Sequence, residues 1–241
     1  MALPDVVSRE QWLQARLSLL GQEKEMTRQR DRLNADRRRL PMVRIDKEYV
    51  FEGPEGAAGL TDLFDGSRQL MVQHVMFGPD WERPCPSCSG AISNMVPSVF
   101  SGLRTRKTTF VLVSRAPYAR IAEAKEQRGW DVPWYSSYSS DFNYDFEVSV
   151  DKADVKEPRY NYRDEPELRG EDAPTELPGI SCFLRDGDEV FHTYSSFARG
   201  MDYNWTLYPL LDLTALGRQE EWEEPKDRVE APRGAVPTFD E

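Results

Sequence analysis

The chain has 241 residues, 39% of them apolar and 11% aromatic, which is enough to bury a core. Its net charge of -11 argues against non-specific binding to nucleic acid or to an anionic membrane surface. No run approaches the ~20 apolar residues of a membrane span, and MALPDVVSREQW lacks the basic start and apolar core of a signal peptide. A cytoplasmic protein is expected, with no membrane or nucleic-acid partner.

Residues 1–48 hold eleven Lys/Arg against eight Asp/Glu, a net of +3, which leaves -14 for the remainder. Ser8 is placed as a helix N-cap, with Gln11 completing a capping box and Val7 and Trp12 as a hydrophobic staple. Leu13, Leu17 and Leu20 share one helical face, so a packed helix is expected as far as Gly21. The charged run QEKEMTRQRDRLNADRRR should extend it, exposed, to Pro41. Residues 1–40 read as a helical arm reaching beyond its own domain and ending against a second copy, hence a homodimer. Arg37, Arg38 and Arg39 read as a solvated helix end, the alternative being a site for an acidic partner.

MVRIDKEYVFEGPEG alternates and breaks at Gly-Pro, predicting a strand pair, and LTDLFDG predicts a helical turn ending at Gly66. QLMVQHVMF, residues 69–77, is apolar on both faces, as a central strand of a covered sheet should be. GAISNMVPSVFSGL predicts a helix broken at Pro97, and TTFVLVS, residues 108–114, a second doubly buried strand. Pro117 opens a helix that Gly129 closes. Residues 151–177 carry nine acidic and five basic residues with three prolines, predicting a long exposed excursion. GISCFLRDGDEVFHTYSSF predicts a hairpin across Asp186 and Gly187, LYPLLDLTALG a last short helix, and residues 218–241 an acidic, disordered tail. The core, residues 41–217, is thus strand, helix, strand, helix, hairpin, helix: an α/β order with an antiparallel edge.

Two of the three cysteines lie in FGPDWERPCPSCSG, just past the first central strand, where a helix begins. Ligands and chemistry collect at that position in open α/β sheets. A spacing of three puts Cys85 and Cys88 on one helical face, close enough for a disulfide. Free N–H groups at the helix start favour a thiolate on the first cysteine, Arg83 adds positive charge, and Pro86 suits a first-turn position without an N–H partner. Cys85 would attack a disulfide and Cys88 resolve the mixed disulfide. The alternatives are a zinc site and a pair of inert buried thiols. Zinc needs four ligands, and only Cys182, His74 and His192 remain, single and far apart, so no metal and no other cofactor is expected.

His74, His192 and Cys182 alternate with apolar neighbours on predicted strands and read as core residues; the alternatives are a general base for the histidines and a resolving or metal-ligand role for Cys182. The aromatics from Trp134 to Phe146 read as a core edge, the alternative being a groove for an extended substrate.

VVSREQWLQARLSLLGQEKEMTRQRDRLNADRRRLPMV, YVFEGPEG, LTDLFDGSRQLMVQHVMFGPDWERPCPSCS, VSRAPYARI and SSYSSDFNYDF resemble the bacterial thioredoxin-like proteins of domain-of-unknown-function family 899. The resemblance implies a thioredoxin-like three-layer α/β/α sandwich with a mixed central sheet and an added N-terminal helical arm. It implies a dithiol–disulfide oxidoreductase with Cys85 and Cys88 as its redox pair, acting on a protein or small-molecule disulfide. Pro84 stands where thioredoxins have a tryptophan, with Trp81 four residues before Cys85, and Pro178 is nearest to the proline that faces their dithiol. Glu82 stands where a peroxiredoxin would have threonine, which weakens a peroxidase reading. The other class of function is a non-catalytic thioredoxin-like scaffold.

Overall fold

The two apolar runs become the two central strands, because neither has a polar face to give to water. The computed structural model describes residues 4–150, 158–169, 175–204, 207–224, 226 and 229–232. Its contacts divide the chain into two units, residues 1–41 with 211–235, and residues 42–210 with 236–241.

In the first unit, α1 (Arg9–Arg37) is one unbroken helix through Gly21. The Ser8 hydroxyl accepts from the Gln11 N–H at 3.2 Å and the Gln11 side chain accepts from the Ser8 N–H at 3.1 Å, the expected capping box. The expected packing through Trp12, Leu13, Leu17 and Leu20 is corrected. No residue of α1 is buried, and Trp12, Leu13 and Leu17 are 46, 42 and 50% exposed. Charge rather than burial supports the helix: Arg16 pairs with Glu23, and Arg28 and Arg32 with Glu25. Exposed pairs of this kind contribute ~0–1 kcal/mol each. Of the stretch expected as a disordered tail, residues 225, 227–228 and 233–241 lie outside the described residues, and its start makes hydrogen bonds. Arg218 forks onto Asp212 at 2.7 and 2.8 Å, and the N–H groups of Arg218 and Glu220 donate to the Glu223 carboxylate.

In the second unit, β1 (Val43–Arg44), β2 (Val50–Gly53), β3 (Gly56–Gly59), β4 (Gln69–His74), β5 (Thr108–Ser114), β6 (Trp134–Ser136), β9 (Gly179–Asp186) and β10 (Glu189–Phe197) form one sheet. Its order is β1-β10-β9-β4-β5-β6-β2-β3. Strands β4, β5 and β6 run parallel, while β9 pairs antiparallel with β4 and β10 with β9. The expected broken helix is two, α2 (Pro86–Ser93) and α3 (Pro97–Arg104), because Pro97 cannot continue the first. After β5 comes α4 (Tyr118–Arg128), closed by Gly129 at φ 66°.

These helices cover one face, where Cys88, Ile92 and Ile121 pack with Val75, Phe77, Trp134 and Ile180. The other face is covered by a 3-10 turn at Asp62–Phe64 and by α5 (Phe142–Asp145), which bring Phe64 and Phe142 onto Leu70, Val72, Val111 and Phe183. A β4–helix–β5 crossover beside an antiparallel β9–β10 hairpin makes this a thioredoxin-like three-layer α/β/α sandwich with a mixed central sheet and an added N-terminal helix. A short helix α6 (Leu207–Leu211) follows the hairpin. Among the described residues no helix is long and apolar enough to cross a membrane.

The excursion is exposed over much of residues 159–167, as expected, but it is not without structure. Residues 151–157 and 170–174 lie outside the described residues, but those between form a ribbon, β7 (Arg159–Tyr160) with β8 (Arg163–Asp164). Val150, Leu168 and Leu177 make a small core of their own. Residues 148–150 pair with 175–177 through Val150 N–H to Thr175 O and Leu177 N–H to Val148 O, both 2.8 Å. Backbone pairing across the excursion, which composition does not report, buries residues that read as exposed.

Candidate functional site

After β4 the chain stays in the sheet for one further bond, Val75 N–H to Val113 O at 2.8 Å, then loops out through Trp81. It returns at Cys85, whose N–H donates to Met76 O at 2.9 Å. That bond pins the start of α2 against the end of the central strand. Cys85 is the N-cap, with extended φ and ψ of -50 and 134°, and Pro86 takes the first helical position. The Cys85 carbonyl accepts from the Ser89 N–H at 2.9 Å and the Ser89 hydroxyl at 3.1 Å.

Cys85 is half-buried and Cys88 buried, both as free cysteines. The Cys85 thiol is pulled down to about 5. The largest cause is the hydrogen bond from the Cys88 thiol; burial opposes it, and the Ser87 hydroxyl, 3.1 Å from Cys85 Sγ, and the N–H groups of Cys88 and Ser87 assist. Cys88 is pushed well up, first by its bond to Cys85 and then by burial. The two shifts have opposite signs, favouring the anion on Cys85 and the proton on Cys88.

The remaining expected site residues divide. Arg83 is exposed and is not among the groups lowering Cys85, so neutral donors at the helix start take the part expected of its charge. Trp81 is half-buried; a Cβ on Gly78 would lie 2.8 Å from its indole nitrogen, and its carbonyl accepts from the Arg120 guanidinium. Pro86 is exposed. Pro178 directly precedes β9, and the pairing of Gly179 with His74 sets it at the end of β4 from which the dithiol loop departs. The carbonyl of Pro178 accepts from the Tyr160 hydroxyl at 2.7 Å.

His74 and His192 lie on the face away from the dithiol. His74 Nε2 is 3.0 Å from Ser181 Oγ, which is 2.8 Å from Ser195 Oγ, in turn 2.8 Å from His192 Nε2. Phe142 and Phe146 stack on the His74 ring, and burial lowers it to about 3, so it is a neutral core residue. Cys182 pairs with Met71 on the dithiol face, half-buried and further along β9 than Ile180. Among the described residues no group of three or more His, Cys, Asp or Glu could hold a metal ion.

Three residues escaped the sequence reading. Ser87 sat between the cysteines, where a hydroxyl one position into a helix can reach the N-cap sulfur. Tyr160 gave a faint signal, a tyrosine before Asn161, which favours a tight turn. Glu176 gave none. It is 1% exposed, accepts from Ser149 Oγ at 2.7 Å, lies 3.4 Å from Arg115 Nη1, and burial pushes it up to about 7.

Glu176 and His74 act oppositely on stability. A carboxyl raised to about 7 contributes stability that is full below ~4.3 and lost as pH rises towards 7. A histidine lowered to about 3 contributes stability that is full above ~6.5 and lost as pH falls. Glu176→Gln should therefore gain stability relative to the natural chain from pH ~4.5 to ~7, at up to ~1.4 kcal/mol per unit. Urea unfolding across that range measures the difference, and parallel curves would show that Glu176 is ionised throughout.

A family model described as "Bacterial protein of unknown function (DUF899)" matches residues 1–234. Among curated proteins none matches. Among solved structures, PrxQ of Xylella fastidiosa is similar at 9% identity, over 68% of this chain and 91% of that one, with a TM-score of 0.43. The peroxidoxin BcpB of Mycobacterium tuberculosis is similar at 14% identity, over 68% and 92%, with a TM-score of 0.41. A candidate protein disulfide isomerase of Bacteroides thetaiotaomicron is similar at 13% identity, over 68% and 87%, with a TM-score of 0.39.

Proposed function

The chain belongs to DUF899, a family of bacterial proteins of unknown function, and on that premise we propose that it is a thiol–disulfide oxidoreductase acting through Cys85 and Cys88. The asymmetry of the pair carries this reading: a half-exposed cysteine at the helix N-cap, its thiol drawn down, beside a buried one whose thiol is pushed up. A structural pair of thiols has no need of that difference.

The Cys85 thiolate attacks one sulfur of a substrate disulfide, forming a mixed disulfide and releasing the other half as thiolate. Both effects of Cys85 on Cys88, the hydrogen bond and the charge, vanish at that moment. The Cys88 thiol can then give its proton to the departing thiolate and attack the Cys85 sulfur. An intramolecular disulfide forms, the second half leaves, and two electrons have passed to the substrate. A dithiol reductant returns the pair to its starting state.

Alkylation by iodoacetamide against pH tests the premise. A thiol at about 5 is about 99% ionised at pH 7, against a few per cent for a free cysteine at ~8.5. The fast phase should have its midpoint near 5 and label Cys85. A midpoint near 8.5, or first labelling at Cys182, would sink the proposal.

A further inference from the structure

Resting on that redox reading, we propose that Tyr160 is a specificity-determining residue: it occupies the backbone acceptor beside the dithiol and restricts Cys85 to small disulfides, excluding extended polypeptides.

A polypeptide disulfide presented to a sheet-end cysteine docks most simply by adding backbone hydrogen bonds to a free edge. Here the edge beside Cys85 is the segment leading into Pro178, placed there by the β4–β9 register and by the bond from Cys85 N–H to Met76 O. That segment is already paired. Thr175 O accepts from Val150, Leu177 N–H donates to Val148 O, and Pro178 O accepts from the Tyr160 hydroxyl at 2.7 Å. The same hydroxyl accepts from the Ala198 N–H at 3.0 Å, so it ties the ribbon to both ends of the β9–β10 hairpin's base. It lies close enough to Cys88 for a charge there to act on it.

The ribbon is held firmly in this place. Tyr160 and Tyr162 each meet the Phe197 ring edge to face, with centroids 5.3 and 5.4 Å away, and the Tyr162 hydroxyl donates to Ser195 O at 3.1 Å. The two-residue turn between β7 and β8 puts Asn161 and Tyr162 at φ 54 and 64°. A bulky side chain rarely adopts that region, and it persists where surrounding contacts impose it. A small disulfide needs only the half-exposed Cys85 sulfur and no backbone edge.

The test compares reduction of 2-hydroxyethyl disulfide and of insulin, with dithiothreitol as recycling reductant, by the natural chain, Tyr160→Phe and Tyr160→Ala. Tyr160→Phe keeps the ring and frees the acceptor, and should raise the insulin rate about fivefold, the worth of one hydrogen bond. Tyr160→Ala, which opens the edge further, should raise it at least as much, while the small-disulfide rate stays within about twofold in both. Near-UV circular dichroism checks the fold; if Tyr160→Ala loses it, Tyr160→Phe decides alone. An unchanged insulin rate, or equal rises with both substrates, overturns the role of Tyr160 and leaves the redox reading intact. Failure of the natural chain to reduce either substrate overturns both.

Discussion

Cys85→Ser is expected to reduce disulfide exchange to background, and Cys88→Ser to stop it halfway, with one equivalent of mixed disulfide trapped on Cys85. The two variants differ because a hydroxyl cannot replace an attacking sulfur, whereas it can replace Cys88 as the hydrogen-bond donor that holds the Cys85 thiolate. Cys88→Ala separates donation from resolution. It removes the largest cause of the low Cys85 value, a charge-assisted bond worth ~1.5–3 kcal/mol. At 1.36 kcal/mol per unit this moves the alkylation midpoint up by about one to two units, nearer one because Cys85 is half exposed. Ser87→Ala should shift it less, since its bond ranks below that of Cys88. Mass spectrometry of the trapped adduct and alkylation against pH measure these outcomes. A midpoint unmoved in Cys88→Ala would mean that the helix start alone holds the thiolate.

The parts of this site governed by local rules were readable in the sequence. The unbroken apolar runs fix β4 and β5, Pro86 and the spacing of three place both cysteines at the first turn of α2, and Pro97 and Gly129 end helices where their chemistry requires. The family resemblance, carried by blocks from Val6 to Phe146, agrees with a match over residues 1–234. What was not readable depends on pairing between distant residues. Pro178 takes its place only through the register of β9 on β4, and Glu176 and Leu177 are buried only because 148–150 pairs with 175–177. A charge such as that of Arg83 is visible in a sequence, but its exposure is not. The stripe of Trp12, Leu13 and Leu17 misled, since apolar spacing shows that a face could be buried and not that anything covers it.

The pair's reduction potential is expected above that of thioredoxin, within about -230 to -180 mV. Whatever stabilises the thiolate stabilises the reduced form, raises the potential and makes the protein a better oxidant. Thioredoxin, with its thiol at ~7, stands at about -270 mV, and a fully shifted thiol at ~3.5 accompanies about -120 mV. A thiol at about 5 lies two units below thioredoxin's. Each unit is 1.36 kcal/mol, and 30 mV is ~1.4 kcal/mol for two electrons, so the shift is upward by some tens of millivolts. The net -14 beyond residue 48 opposes added negative charge. Charges beyond the ~8 Å screening length at physiological salt act weakly, and the influences on the Cys85 sulfur are burial and its bonds to Ser87 and Cys88, so the local donors prevail. The pH dependence is the sharper test. With Cys85 already ionised and Cys88 held as thiol, reduction takes up one proton for two electrons, giving about 30 mV per pH unit above pH ~5 and about 60 mV below it. Equilibration with glutathione buffers from pH 4 to 8 measures both, and a slope of about 60 mV at pH 7, or a potential below about -300 mV, would refute the stabilised thiolate.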